Sequence, residues 1–315
     1  MQIRNFNLER DYERVKDFLT ECYFENHNME CWLPARYEDL IFRVDTLYRD
    51  ERGKLPSQDY IFIWEENDNI VAVIFPDGDS FNTCIKRGYE FLFPEMLDVG
   101  EEHLLPLFES NEENEIEFLA ISHDSLAYQS EELLRRGYVR QIDGDYDNYQ
   151  NPQEKNYEII LPVGFKQVYG ENIEDNKKAK ACHYGFKPEE DDGILEGPFR
   201  EGALSYQGRK QSSFYNDSFE SLIITDEKDI CTYCFCYVDK KTNTAFIEPV
   251  CTREKYRRLG LCRAMLYGVI IKLKEMGITA AYINSYAWRK KVYNNAGFDT
   301  IDTIGFWTKK LVKRK

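Results

Sequence analysis

The stretch Phe246–Cys262 constrains the fold of this chain more than any other part of the sequence. It begins with a short apolar strand pattern, passes through a brief polar turn, and enters a helix after Arg257-Arg258-Leu259-Gly260. Such a turn gathers unpaired backbone N–H groups at a helix N-terminus, where the helix dipole is positive. Gly260 can adopt a positive φ, which lets an anion approach the backbone closely. The stretch therefore predicts a strand–turn–helix unit that binds a pyrophosphate.

The rest of the chain shows one order of elements twice: strand, helices, antiparallel hairpin, strand, helix, strand, helix, strand. The two hairpins are predicted at residues 60–75 and 222–238. A length of 315 residues suits two domains of about 150 residues each. Because the segment Asp143–Asn156 is polar and rich in turn residues, it is predicted to be a linker. We therefore expect a tandem α/β (α+β) protein with mixed sheets and domains at 1–150 and 151–315.

Four element predictions bear on the site. In the second half, a strand is expected at Ala245–Thr252, a helix at Arg263–Met276 that ends at Gly277, and a final strand at Gly305–Leu311. In the first half, a short strand is expected at Tyr89–Phe93. The residues after that strand, Pro94 to Glu102, are then predicted to be the first-half counterpart of the pyrophosphate turn.

The composition of the chain limits the classes of molecule that it is expected to bind and the compartment in which it is expected to work. A formal net charge of −15 and a pI of about 4.9 argue against nucleic acid or an anionic membrane as partners, and they tolerate a cationic substrate. No apolar run approaches the roughly 20 residues that a membrane span needs, and no signal peptide is recognised. Nine cysteines without a disulfide-framework spacing are typical of a reduced compartment. A cytoplasmic location is therefore expected.

The motif after the second-half strand resembles that of the GNAT superfamily of acetyl-CoA-dependent N-acetyltransferases. The family signature is R/Q-x-x-G-x-G/A, and Arg257, Gly260 and Cys262 occupy its three key positions. Tyr293 opens a Tyr-x-x-x-Gly-Phe sequence that is also frequent in the family. The resemblance is good from Phe165 onward, and it rests on the fold pattern alone in the first half. It implies two tandem GNAT-like acyl-CoA N-acyltransferase domains.

The resemblance also implies how acetyl-CoA would be held. The backbones of Val250 and Thr252 would pair with the pantetheine arm and polarise the thioester carbonyl. Asn284, after the next strand, stands where family members often contact the cofactor or substrate. A further set would hold the pyrophosphate through the turn and its backbone amides: Arg257, Arg258, Leu259, Gly260, Leu261, Cys262 and Arg263.

Two residues are candidates for proton transfer. Tyr293 occupies the place of the family's general acid, which protonates the departing thiolate. Glu248 is the candidate base, because burial in an apolar strand would raise the pKa of its carboxyl. A water chain that serves a partly deprotonated amine is the alternative base. Cys262, which replaces the usual glycine or alanine, is interpreted as structural because no neighbouring histidine supports a nucleophile.

The first half lacks this machinery. Pro94 to Glu102 contains no R-x-x-G-x-G pattern, and its carboxylates would repel a pyrophosphate. Leu133 stands at the position that corresponds to Tyr293, four residues before a glycine. The first half is therefore predicted to be a degenerate domain without acetyl-CoA.

No metal site is predicted. Cys231, Cys234 and Cys236 fall on one predicted strand, where Cys231 and Cys234 would point to opposite faces. No second Cys/His pair completes a set of four ligands.

The predicted function is acetyl transfer from acetyl-CoA to the primary amine of a small acceptor by direct attack, catalysed by an acyltransferase. Two alternatives remain. One is an acyl-CoA-binding sensor or scaffold without turnover, favoured by Cys262 and Tyr286. The other is aminoacyl transfer from charged tRNA, which the phosphate-binding turn and the acidic charge disfavour.

Overall fold

A computed structural model describes residues 1–44, 60–77, 80–104 and 115–312. The chain divides into two compact units. Within the described residues, unit 1 comprises 1–40, 60–77, 80–104, 115–147 and 301–312, and unit 2 comprises 41–44 and 148–300. The last strand thus groups mainly with unit 1, whereas the sequence had assigned all of 151–315 to the second domain.

Unit 1 contains a mixed sheet with the order β1-β2-β3-β4-β5-β12. The pair β4–β5 is parallel, and the other pairs in this order are antiparallel. The hairpin predicted at 60–75 is confirmed as β2–β3. The helices and strands of unit 1 are β1 (Gln2–Asn5), α1 (Leu8–Asn26), α2 (Pro34–Glu38), β2 (Phe62–Glu66), β3 (Asn69–Asp77), β4 (Ser80–Ile85), α3 (Phe93–Val99), β5 (Glu115–His123), α4 (Ala127–Arg135), β6 (Val139–Gln150) and β12 (Asp299–Val312). Strands β6 and β12 cross the boundary between the units.

Unit 2 contains a second sheet order, β7-β8-β9-β10-β11, in which only β10–β11 is parallel. The predicted hairpin at 222–238 is confirmed as β8–β9. The helices and strands of unit 2 are β7 (Phe165–Tyr169), α5 (Asp175–Phe186), α6 (Arg200–Arg209), β8 (Ser221–Thr225), β9 (Ile230–Asp239), β10 (Thr244–Thr252), α7 (Leu261–Glu275), β11 (Ala280–Tyr286) and α8 (Lys290–Asn294).

The core of unit 2 explains why α7 lies where it does. All residues of β9 are buried, and α7 packs on this sheet through an apolar face that includes Leu266, Ile270 and Leu273. Gly277 ends the helix at φ +79°, and the amide of Ile278 donates to the Leu273 carbonyl at 3.0 Å. The predicted helix and its glycine stop are confirmed within two residues. The helix N-terminus is thereby fixed at the end of β10.

The predicted linker Asp143–Asn156 is wrong over its first part, because β6 continues through Gln150. Towards the end of this strand, polar side chains are buried and find hydrogen-bond partners inside the protein. Asn148 Nδ2 donates to the Ile283 carbonyl at 3.2 Å and to Ser285 Oγ at 2.9 Å. A polar strand is stable when its side chains have such partners, and those partners lie far away in sequence.

The strand predicted at Tyr89–Phe93 is also wrong. Residues Glu90–Leu92 form a 3₁₀ turn that leads into α3, and Pro94 in the first turn of that helix suits a helix start. In unit 1, the strand that corresponds to β10 is β4, which was not predicted from the sequence. The first-half counterpart of the pyrophosphate turn is therefore the segment from Lys86 to Phe93, which also lacks an R-x-x-G-x-G pattern.

Helix α4 of unit 1 and helix α8 of unit 2 end in the same type of turn. In unit 1 the amide of Tyr138 donates to the Leu133 carbonyl at 3.0 Å, and in unit 2 the amide of Phe298 donates to the Tyr293 carbonyl at 3.1 Å. Gly137 and Gly297 both have positive φ in these turns. The correspondence of Leu133 with Tyr293 therefore holds in the backbone as well as in the sequence. Across the described part of the chain, no helix is long and apolar enough to cross a membrane.

Candidate active site

Strand β10 separates from the neighbouring strand β11 before β10 ends. Its parallel register with β11 covers only Thr244–Phe246, although β10 continues to Thr252. On its other side, the register with β9 shifts between Ile247 and Val250, which places one extra residue on β10. Within the described residues, the β11-facing edge of β10 therefore has no strand partner beyond Phe246. An extended ligand can pair with such an edge.

The turn after β10 has the predicted form. Arg258 and Gly260 both take left-handed conformations, at φ +67° and +77°. The first amides of α7 have no intrahelical partner, and Gly260, its N-cap residue, offers them no side chain. A Cβ built on Gly260 would meet no heavy atom within 4 Å. The turn is an open cradle with the chemistry of an anion site.

Arginines support this cradle in two ways. Arg257 holds the turn in place, since its Nε donates to the Thr252 carbonyl at 3.1 Å and its Nη2 to the Gly185 carbonyl at 3.0 Å. Arg258 and Arg263 are exposed, and neither guanidinium makes an ion pair or hydrogen bond with a described residue. Their charges are available to a phosphate.

Cys262 lies half-buried in the first turn of α7. Burial raises the pKa of its thiol to about 11, and a hydrogen bond with Thr252 offsets only part of that rise. The thiol is therefore neutral near pH 7. A neutral thiol fits the structural interpretation of Cys262 and disfavours a nucleophilic one.

Tyr293 is 5% exposed on α8. Burial raises the pKa of its phenol, the negative charge of Glu248 raises it further, and Arg289 partly opposes this rise. Its hydroxyl makes no hydrogen bond with a described residue. Tyr293 thus presents a protonated phenol to the region of Cys262, which is the state that a general acid requires.

The predicted burial of Glu248 is wrong. Glu248 is exposed, because it lies in the irregular part of β10 where regular pairing with β9 is interrupted. Burial therefore does not support Glu248 as the base, although its charge does reach Tyr293.

The other predicted cofactor contacts lie on the same two strands. Val250 is buried and Thr252 is half-buried on the part of β10 that pairs with β9 but not with β11. Asn284 is half-buried near the end of β11, and Tyr286 is 52% exposed at its last position. The structure thus brings the β10 edge, the turn, Tyr293 and Glu248 into one unit and one end of the sheet.

Sequence analysis missed Arg253, which fixes the start of the turn. Its side chain is 1% exposed and donates two hydrogen bonds to Asp191, at 2.8 and 2.6 Å, and one to Asp229 at 2.6 Å. Burial alone would lower the pKa of Arg253, but the two aspartates raise it, so the guanidinium stays charged. The available signal for this residue in the sequence was an arginine directly after the last residue of β10.

Replacing Arg253 by Met should lower the free energy of unfolding by about 2 kcal/mol, because it removes a buried guanidinium together with its charge-assisted hydrogen bonds to two carboxylates. Urea denaturation would measure the change. Lys255→Met is the matched control, since Lys255 pairs with the same Asp229 from a 47% exposed position. The control should lose about 0.5 kcal/mol or less. Equal losses in the two variants would contradict the role given to Arg253.

Cys231, Cys234 and Cys236 are buried, free thiols along β9. Among the described residues, one group brings metal-ligating side chains together, and it lies in unit 1. His123 Nδ1 is 3.2 Å from Asp302 and 3.5 Å from Asp147. Burial lowers the pKa of His123, but the two aspartates and Glu30 raise it more, so the net pKa is raised above 6.5. These contacts describe an ion-pair cluster, and the absence of a metal stays a prediction.

The cluster gives a pH dependence. A raised pKa means that the folded protein holds the His123 proton more tightly than the unfolded chain. The resulting stability is fully present below about pH 6.5 and is lost as the pH rises through the raised value. The loss of unfolding free energy in His123→Gln should therefore be larger at pH 6 than at pH 9. An equal loss at both values, measured by urea denaturation, would show that the charge contributes nothing.

Part of the chain that contains this site matches a known protein family. Residues 190–298 match the model of the acetyltransferase (GNAT) family, and this segment contains the turn and Tyr293. No curated protein matches the chain in sequence. The fold is similar to that of a GCN5-related N-acetyltransferase from Sphaerobacter thermophilus, at a TM-score of 0.66 and 15% identity, with 100% of this chain and 96% of that chain covered.

Two further structures extend the likeness. A tandem GNAT protein from the clavulanic acid biosynthesis pathway has a TM-score of 0.59 at 11% identity, with 100% and 99% of the two chains covered. A GNAT-family acetyltransferase from Colwellia psychrerythraea has a TM-score of 0.59 at 12% identity, with 98% and 99% covered. At such identities the likeness shows the fold.

The fold is of mixed α/β class, and it is similar to the folds of solved GNAT structures, one of them a tandem GNAT protein. The chain carries a GNAT acetyltransferase domain at residues 190–298, as the motif at Arg257–Cys262 had indicated. This fold is consistent with acyl transfer from an acyl-CoA.

Proposed function

We propose that unit 2 is an acetyl-CoA-dependent N-acetyltransferase that acts on the primary amine of a small acceptor. One observation carries the proposal: an open, amide-lined turn begins α7 directly beside the unpaired edge of β10. A pyrophosphate and an extended pantetheine arm need these two features side by side.

The residues present fit acetyl-CoA. The amides from Arg258 to Arg263 and the guanidinium groups of Arg258 and Arg263 would hold the pyrophosphate. The backbones of Val250 and Thr252 would pair with the pantetheine, with Asn284 opposite on β11. Bound acetyl-CoA supplies an activated acetyl thioester. Cys262 fits as a neutral, half-buried side chain that adds no charge beside the phosphates.

The chemistry requires two proton movements. The acceptor amine loses a proton as its nitrogen forms a bond to the acetyl carbon, and the carbon–sulfur bond breaks. Tyr293 then donates its phenol proton to the departing sulfur. The exposure of Glu248 favours a route in which water carries the amine proton to Glu248 or to solvent, so the two base candidates act as parts of one path. The acidic charge of the chain suits an acceptor that arrives as an ammonium ion.

Unit 1 takes no part in the transfer under this proposal. The backbone N–H of Gly88, in the turn that corresponds to the cradle, already donates to Glu90 Oε1 at 2.9 Å. A carboxylate of the chain itself thus occupies a place that a phosphate would need. Leu133 replaces the acid. We also propose that the protein works in the cytoplasm without nucleic acid or membrane as partner.

The test is acetyl-CoA binding followed by thiol release with a panel of small amines. Release with at least one amine is expected. Binding without release across the panel would favour the sensor alternative, and absence of binding would overturn both acyl-CoA proposals. Charged tRNA added in place of acetyl-CoA should give no transfer.

A further inference from the structure

One guanidinium near the proposed reaction site of unit 2 has no anionic partner. Arg289 follows β11, and its guanidinium lies 4.3 Å from the ring of Trp288 and 5.4 Å from the ring of Phe186. The side chain is half-buried, and it makes no ion pair or hydrogen bond with a described residue. Aromatic faces hold a guanidinium in place without using its N–H donors. Arg289 is therefore positioned by its neighbours and keeps its donors for another molecule.

Helices α5 and α7 lie on opposite faces of β10, since consecutive strand residues point to opposite sides. Val250 packs in one cluster with Leu261 of α7. On the other face, a Cβ built on Gly185 of α5 would come within 2.6 Å of the Cβ of Cys251. The two faces connect where β10 and β11 have separated, beyond Phe246. Under the proposed function, the cofactor enters on the α7 side, where the cradle lies, and the α5 side is left for the acceptor.

Arg289 reaches both faces at this gap. Its guanidinium contacts Phe186, the last residue of α5. Residues 289 and 293 are four apart in a continuous helical backbone, so Arg289 lies on the same helix face as Tyr293, which is part of the cluster on the α7 side. Burial raises the pKa of the Tyr293 phenol and of the Cys262 thiol, and the charge of Arg289 opposes both rises. The guanidinium is thus within electrostatic reach of the hydroxyl that would protonate the departing sulfur.

A guanidinium without a partner at this gap limits the acceptor. It repels an acceptor whose only charge is an ammonium group. The thioester and the pantetheine arm are uncharged, and the cradle at Gly260 accounts for the pyrophosphate, so bound acetyl-CoA does not supply the missing anion. A carboxylate on the acceptor would supply it, because a carboxylate neutralises a guanidinium and accepts two parallel hydrogen bonds from it.

We propose that the acceptor is an amino acid or a similar amine with a carboxylate close to its nitrogen, and that Arg289 binds this carboxylate. The inference rests on the proposed function of unit 2 and names its substrate class. The carboxylate keeps its charge throughout the transfer, so Arg289 positions the acceptor and takes no part in the bond changes. Tyr286 and Trp288 lie beside it with parallel, exposed rings, 6.1 Å between centroids. They offer an apolar surface to the rest of the acceptor.

The test compares acceptors with and without the carboxylate. The full-length chain, saturated with coenzyme A so that no transfer occurs, is titrated calorimetrically with two pairs of probes: phenylalanine and 2-phenylethylamine, and leucine and 3-methylbutylamine. In at least one pair, the amino acid should bind at least about tenfold more tightly than the amine. Equal affinities in both pairs, or no binding of either amino acid up to about 10 mM, would overturn the proposal.

Thiol release from acetyl-CoA separates this inference from the proposed function. Release at equal rates with the amines and the amino acids would overturn the inference and leave the proposed function intact. No release with any acceptor would overturn the proposed function, and the titration would still decide whether the chain binds a carboxylate through Arg289.

Variants of Arg289 locate the binding. Arg289→Gln should weaken amino-acid binding at least about tenfold and remove the preference over the amine, while the affinity for acetyl-CoA changes less than about threefold. Arg289→Lys should restore part of the preference, because it keeps the charge and loses the two parallel bonds. Lys291→Gln removes a charge from an exposed position of the same helix and should change neither affinity. An Arg289→Gln protein that lost acetyl-CoA affinity and kept its preference for the amino acid would make Arg289 a phosphate ligand and refute the assignment.

Discussion

Replacing Tyr293 by Phe is expected to lower kcat at least about a hundredfold while the affinity for acetyl-CoA changes less than about threefold. Proton donation by a positioned side chain contributes roughly a hundredfold to ten-thousandfold to a reaction rate. The ring itself is packed in the core of unit 2 at 5% exposure, so phenylalanine preserves the packing and removes only the hydroxyl. Because that hydroxyl makes no hydrogen bond with a described residue, its loss leaves no partner unsatisfied.

Steady-state kinetics with acetyl-CoA and an accepted amine, beside calorimetric binding of acetyl-CoA, would measure both quantities. Tyr267→Phe is the matched control, because its hydroxyl donates to the Asn295 carbonyl at 3.5 Å and has no place in the proposed chemistry. The control should retain kcat within about twofold. A Tyr293→Phe protein with normal turnover would remove the residue from the mechanism and would leave solvent as the proton donor.

Replacing Gly260 by Val should weaken acetyl-CoA binding about a hundredfold. The side chain would project into the open space of the cradle, where no described residue other than its neighbours in the chain lies within 4 Å of a Cβ. The phosphates would lose two or three charge-assisted bonds to helix amides, each worth about 1.5 kcal/mol or more. The strain of a branched side chain at φ +77° lowers stability as well, by about 1–3 kcal/mol.

The same helix provides the control for that strain. Gly277 has φ +79° at the other end of α7, and a Cβ there also meets nothing within 4 Å. Gly277→Val should therefore lose similar stability and keep its affinity for acetyl-CoA. Calorimetric titration and urea denaturation of both variants separate the two effects. If both variants lost affinity equally, strain in α7 would be the cause and the cradle would not be the phosphate site.

The structural elements around this site could be predicted from the sequence where the signals are local. A phosphate cradle at a helix N-terminus needs a strand, a glycine and a helix that are adjacent in the chain, so Gly260 and its arginines are visible in the sequence. The helix stop at Gly277 and the acid position of Tyr293 are local signals of the same kind. These predictions agree with the structure in their elements, and the roles of the residues are what the variants test.

Predictions that depend on distant partners failed. The burial expected of Glu248 ignored the extra residue in β10, which becomes visible only in the register with Cys234 and Cys236 of β9. The polar residues of β6 looked like a linker because their partners, such as Ser285 for Asn148, lie far along the chain. Hydrophobic pattern alone cannot indicate a strand that is stabilised by buried hydrogen bonds.

The first half shows both kinds of inference. Its lack of a phosphate motif was visible in the sequence, but the corresponding turn was assigned a few residues too late because β4 was missed. The structure adds what the sequence could not show, namely that Glu90 accepts the Gly88 amide in that turn. Under the proposed function, this carboxylate lies where a bound phosphate would otherwise accept the Gly88 amide.

The number of acetyl-CoA molecules bound per chain tests the central claim, a tandem protein with one acetyl-CoA site in unit 2. Calorimetric titration of the full-length chain with acetyl-CoA should give one site, and Gly260→Val should weaken that site about a hundredfold. Two sites per chain would contradict the account, and so would a single site that Gly260→Val leaves intact.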